Sequence, residues 1–498
     1  MGSWAQAIVA GLLAAMTGCP DEPAPGAATA EAPSAPAAET SPAVPLPAAG
    51  KGAVEVLAPG DGAAVSWPSG EGAKRTLVTT VNLPAPGDGP AEEAAPAIPV
   101  RLVLAAERSD AGAWVFSVRT VEALAPVEAG ARRRVQRRLD RVASLAGRYD
   151  PSARAVTFFE APAGEALAPV RTAVERVMPL SDPPLPDGGL RIGTRYRTAL
   201  HDQEASFEVV HGDGGRPAVR VVIRGAVGSP LAALVAPQAP HGTASDRLAY
   251  DGDPVAGAVL FARTLPGAVV HVGRRKMPVS EDGRFLVGLG RTPRIPTLVR
   301  VVYPDRTMLV HALAPRRRTF EDERIDGLPP DVVDPPRSVR KRLAEIRKVI
   351  DAVRRKGSPV PRFERPFIWP TKGRVTSTYG RKRILNGEEK GIHWGVDIGA
   401  PVGRSVVAPA DGTVVFVHRN VPLAGKVVIV DHGLGLTSSF LHLSRIHVRE
   451  GQVVSRGERI GRVGRTGRAT GPHLDWRMNV LDVRVDPMLL VEGTPDER

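Results

Sequence analysis

Three short stretches toward the C-terminal end concentrate the side chains able to grip a metal ion. His393 and Asp397 lie in HWGVD, His442 in FLHLS, and His473 with Asp475 in PHLDW. Residues i and i+2 of a strand share a face, so His473 and Asp475 are expected to project into one groove. Zinc accepts imidazole nitrogen and carboxylate oxygen, and a catalytic site uses three protein ligands with a fourth position left open. Five candidate groups are enough for such a site. The single cysteine excludes an intramolecular disulfide framework and any zinc site of the multi-cysteine type.

The elements that must position these groups read as short strands. Residues 363–498 contain SVVAP, GTVVFVH, KVVIVDH and RIGRVG between glycine-centred turns, which predicts a compact all-β domain. Ahead of it, residues 321–362 form a connector. Its paired prolines exclude regular helix at first, and Val339, Leu343, Ile346, Ile350 and Val353 then follow at spacings of four, three, four and three. That spacing predicts a helix over 337–356 with one buried stripe and a solvated basic face. Residues 51–235 alternate apolar and polar positions and are expected to form a β-rich domain of unknown role. One helix is expected to interrupt it, with Val135, Leu139, Val142 and Ala146 on its buried face. Residues 236–320 are expected to form a small Ig-like β domain. The fold class is mainly β.

The run from about Phe367 to Leu490 resembles the lysostaphin/LytM-type family of zinc peptidoglycan endopeptidases. The resemblance rests on STYGRKRILNGEEKGIHWGVDIGAPVGRSVVAPADGTVV, GKVVIVDHGLGLTSSFLHLSRIHVREGQVVSRGERIGRVGRTGRATGPHL and the closing DP. It implies a bound Zn2+ with His393 and Asp397 as metal ligands, and His442 and His473 as the non-ligand histidines that flank and polarise the attacking water. The family's third ligand, the second histidine of His-x-His, falls on Asp475. Asp475 is expected to keep that role, because a carboxylate is itself a common zinc ligand. The shorter side chain is expected to need a strand shift or an intervening water, and Asp475→His to match or exceed the natural residue. The implied activity is hydrolysis of the peptide cross-links of peptidoglycan. The alternative is a weak or inactive module of the same fold that binds peptidoglycan and activates another hydrolase.

His418, His432 and His447 are expected to be structural or exposed, while Trp394 and Tyr379 suit either groove or core. At the other end, an apolar run of about ten residues leads to MTGC, too short to span a bilayer as a mature helix. It resembles a bacterial lipoprotein signal, with residues 1–18 removed and Cys19 lipidated, although MGSWAQA lacks a basic residue and Met16 replaces the usual leucine. Residues 19–50, rich in Pro and Ala, are expected to be a disordered tether. These features place the chain in the cell envelope, periplasmic and anchored to a membrane, with peptidoglycan and envelope proteins as partners. The net charge of +13 suits an anionic wall. No groove-reading motif or interleaved aromatics accompany the basic helix, so nucleic acid is not an expected partner.

Overall fold

The computed structural model describes residues 55–58, 64–65, 72–83, 97–153, 155–159, 167–181, 190–200, 203–211, 217–224, 231–237, 243–245, 247–328, 333–363 and 366–495. The expected leader, Cys19 and the tether lie outside them. The described residues are mostly strand, with three α-helices, and none of these is long and apolar enough to cross a membrane.

Two compact units divide the chain. One comprises the described residues up to Asp246 together with Pro296–Leu313. Its centre is an antiparallel sheet of Lys74–Leu83, Ile98–Arg108 and Trp114–Ala123. The four strands between Arg195 and Pro237 continue it on one side, and Met308–Leu313 and Thr297–Val302 on the other. Helices α1 (Arg132–Ala143) and α2 (Ala168–Val177) bury Val135, Leu139, Val142, Val170, Val174 and Val177 in one core with Trp114, Phe116 and Val118. The helix α1 ends before Ala146, which opens the strand Ala146–Asp150 instead of extending the helical face. Sequence reading missed α2, whose buried positions are helically spaced but which opens on Pro169.

The second unit comprises Arg247–Ile295 and the chain from Ala314 onward. The segment expected to be one Ig-like domain, 236–320, is therefore shared between the units. Met308, Val310 and Ala312 alternate into the core of the first unit, which carries the hairpin ending at Leu313 there. What stays in the second unit is an antiparallel sheet of Leu248–Asp251, Val259–Thr264 and Arg284–Gly288 and a short hairpin.

Helix α3 (Arg337–Lys356) spans the predicted residues. Leu343 and Ile350 are buried, and they pack with Val339 and Ile346 against Phe416, Val427, Ile429 and Leu441. The basic face is not wholly solvated: Arg354, one turn past Ile350, is buried and donates from Nη2 to Ser439 Oγ at 2.9 Å.

In the site domain the strands used below are β1 (Arg374–Ser377), β2 (Lys382–Leu385), β3 (Glu388–Ile392), β4 (Val396–Gly399), β5 (Gly412–Val421), β6 (Gly425–Gly433), β7 (Leu436–Leu443) and β8 (His473–Val480). An antiparallel sheet runs in the order β1, β4, β8, β7, β6, β5. The connector adds an unexpected strand, Asp322–Ile325, which pairs in parallel with β2 and sets Glu323 opposite Arg383.

Candidate functional site

Three central strands bring the site together. Asp397 of β4 pairs with Asp475 of β8, and Leu441 of β7 pairs with Asp475 from the other side. The pairing of β4 with β8 passes through Asp475 without a bulge. His393 precedes β4, fixed by its N–H donating to Arg381 O and its carbonyl accepting from Gly380, both at 2.8 Å. His442, the last residue but one of β7, has a left-handed backbone, φ 63°, a conformation a non-glycine residue adopts at a cost of order 1 kcal/mol.

All five residues predicted from sequence converge. One donor atom each from buried His393, Asp397 and Asp475 lies within 4.8 Å of the other two. His393 Nε2 stands 3.3 Å from Asp397 Oδ1. A tetrahedral ion with bonds of about 2.0–2.1 Å holds its donors about 3.4 Å apart, so this spacing suits two ligands of one ion. It is not a hydrogen bond, since both ring nitrogens of His393 and Asp397 Oδ1 are buried with no hydrogen-bond partner. Leaving such groups unpaired costs about 1–3 kcal/mol each. A cation bound by Nε2 and Oδ1 removes their share of that cost, so the residues fit a metal ion.

His442 and His473 complete the cluster, with ring centroids 4.8 Å apart and His473 Nε2 3.9 Å from Asp397 Oδ1. The Nδ1 atoms donate to carbonyls, His442 to Thr466 O at 2.8 Å and His473 to Gly471 O at 2.9 Å. A carbonyl only accepts, so each Nδ1 carries a proton, and in the neutral ring Nε2 keeps its lone pair. Burial, opposed by the Asp475 charge, pushes His442 down to about 4, which keeps it neutral near pH 7.

Sequence reasoning overlooked the arginines on the two carboxylates. Arg383 Nη2 donates to Asp397 Oδ2 at 2.9 Å, and its Nε donates to Glu323 Oε2 at 2.8 Å. Arg477 grips Asp475 with a fork, Nε to Oδ1 at 2.9 Å and Nη2 to Oδ2 at 2.6 Å. The signal was available, since position 477 lies two residues from 475 on the same strand face. Burial and the Asp475 charge push Asp397 up to about 7 in spite of Arg383. Burial also works against ionising Asp475, but Arg477, with His393 and His442, outweighs it and holds that carboxyl well below the usual range.

The remaining candidates are structural. Trp394 and Tyr379 pack with Ile392 and Phe320 in a small core, and Tyr379 Oη donates to Arg484 O at 3.1 Å. His432 is buried and bonded at both nitrogens, to Asp411 O at 2.7 Å and Ser438 Oγ at 2.9 Å. His418 Nδ1 accepts from the Asn420 N–H, and His447 is exposed.

Residues 391–487 match Peptidase family M23, so the chain carries a LytM-type domain on its C-terminal side that includes all five residues. The chain is 39% identical over 133 residues to the peptidoglycan DD-endopeptidase ShyA of Vibrio cholerae, covering 26% of this chain and 31% of that protein. It is 36% identical over 123 residues to the DD-carboxypeptidase/endopeptidase Mpg of Neisseria meningitidis, covering 25% and 28%. These matches thus span about a third or less of the relatives. A crystal structure of a putative peptidase M23 from Pseudomonas aeruginosa is similar at 27% identity, covering 48% of this chain and 96% of that one with a TM-score of 0.39.

Proposed function

We propose that the chain is a zinc-dependent cell-wall hydrolase that cuts peptide cross-links of peptidoglycan. The observation that carries this reading is the unpaired, buried His393 imidazole set beside Asp397 and Asp475, a donor group left without a partner unless a cation is bound. When bound, zinc supplies a Lewis acid for a peptide carbonyl and lowers the pKa of a water. His393, Asp397 and Asp475 would hold the ion, a three-ligand set of the kind catalytic zinc sites use. His442 and His473, fixed through Nδ1, leave Nε2 to accept a proton from the attacking water and return it to the leaving amine. The similarity to ShyA and Mpg supports peptidoglycan as the substrate class. Cys19 as a lipid anchor and the Pro/Ala-rich tether belong to the same reading, placing the domain in the periplasm within reach of the wall.

A second reading draws on the Arg477 fork, which engages both oxygens of Asp475. In it the ion is weakly held and the domain binds peptidoglycan to activate another hydrolase. The purified chain, incubated with sacculi, decides between them. The hydrolase releases soluble fragments, contains about one equivalent of zinc, and stops on chelation. A chain that binds sacculi, holds little metal and releases nothing without a partner hydrolase overturns the first reading.

A further inference from the structure

Asp475 does not stand alone. It and Arg477 lie two residues apart on β8, and the β4–β8 register, which pairs Asp397 with Asp475 and Val396 with Trp476, sets Gly395 across from Arg477. A Cβ at Gly395 would sit 2.5 Å from Asp475 Oδ1 and 2.6 Å from Arg477 Cγ. The bare backbone at 395 is therefore what lets the arginine fold back over the strand and grip the carboxylate. Oδ2 accepts from both Nη2 and, at 3.1 Å, Nε, so the fork leaves the further lone pair on Oδ1, since an ionised carboxylate offers about four acceptor positions.

A His, Asp, Asp set brings two negative charges to a dication, where a His, Asp, His set brings one. Over-neutralised zinc is a poorer Lewis acid. The Arg477 guanidinium, in direct contact with Asp475, restores one positive charge beside the ion. We infer that Arg477 is a positioning residue that acts through Asp475: it orients the carboxylate toward the ion and offsets its charge, so that Asp475 and Arg477 together replace a single histidine ligand. The inference rests on the reading of His393, Asp397 and Asp475 as one metal site. It reverses the expectation that Asp475→His alone matches the natural residue. That substitution leaves the Arg477 cation without its partner next to a dication.

Zinc affinity, measured on the purified chain by competition with a chromophoric chelator and without sacculi, tests this. Asp475→His is expected to bind zinc about 10–100-fold more weakly than Asp475→His/Arg477→Gln, the range by which partners of metal ligands usually act. Arg477→Gln alone is expected to stay within about tenfold of the natural chain in zinc affinity, since the lost orientation and the lost repulsion oppose each other, while its turnover with bound zinc falls by at least about tenfold. A residue needed only for folding would lose both. Arg477→Lys, which keeps the charge without the fork, is expected to stay within about tenfold of the natural chain in zinc affinity, and it decides the matter if the glutamine variant fails to fold. Equal affinity for Asp475→His with and without Arg477 overturns the inference. So does a natural chain without zinc that gains one equivalent on Arg477→Gln, because Arg477 is then a plug. Since no substrate enters the binding assay, a chain showing this coupling yet releasing nothing from sacculi sinks the hydrolase reading alone.

Discussion

Two buried histidines of one sheet domain stand in opposite conditions. Around His432 the interior is closed: both ring nitrogens are bonded, and Phe367 packs edge-on against the ring. Around His393 both nitrogens are unmatched, and two carboxylates approach. The other unit follows the first pattern, since His311 is buried with Nδ1 2.9 Å from Thr120 Oγ1. Burial alone therefore says little about a histidine. What separates a structural imidazole from one held ready for a ligand is whether its hydrogen bonds are already made.

The contrast can be tested to breaking. The largest effect is expected from His393→Ala, which should lower fragment release from sacculi by at least about a thousandfold, about 4 kcal/mol of barrier. Its metal-free melting temperature should fall less than that of His432→Ala, since the ring that leaves a space also takes an unpaired group with it. A large loss of stability would place His393 in the structural class.

His432→Ala should do the reverse. It leaves the Ser438 hydroxyl without its ring partner and opens space beside Phe367, for a destabilisation of about 2–4 kcal/mol by denaturant melt, with release per folded molecule unchanged. A silent substitution there would break the comparison from the other side.

Acid should distinguish the folded and unfolded chain next. Burial pushes His432 down to about 4 and His311 down to about 3, both below the ordinary value near 6.5. The unfolded chain therefore binds these protons first. Their contribution is fully present above about pH 6.5 and drains as pH falls toward 4, by about 3 kcal/mol for His432. A His432→Gln chain should show a flatter profile of melting temperature between pH 6.5 and 4. The smallest effect belongs to exposed His447, whose alanine variant should stay within about 0.5 kcal/mol and keep full activity.

The sequence carried the site further than the fold. The spacing in HWGVD, FLHLS and PHLDW, with the family resemblance, named five residues that the sheet does assemble, and the apolar stripe of α3 marked its own span. Register hides the rest. Nothing local says that Met308–Leu313 pairs with Trp114–Ala123, nor that DERI forms a strand beside β2. The arginine clamps escaped notice for the same reason, because Arg383 meets Asp397 only after β2 and β4 fold toward each other.

The strand Asp322–Ile325 also moves the working border of the domain. Glu323 holds the far side of the arginine that holds Asp397, so the network around the candidate ligands starts nearly seventy residues before the first position that matches the family. A fragment cut at the family border would retain every expected ligand and catalytic histidine, yet lack this brace. Its weakness could then be mistaken for a property of the intact chain.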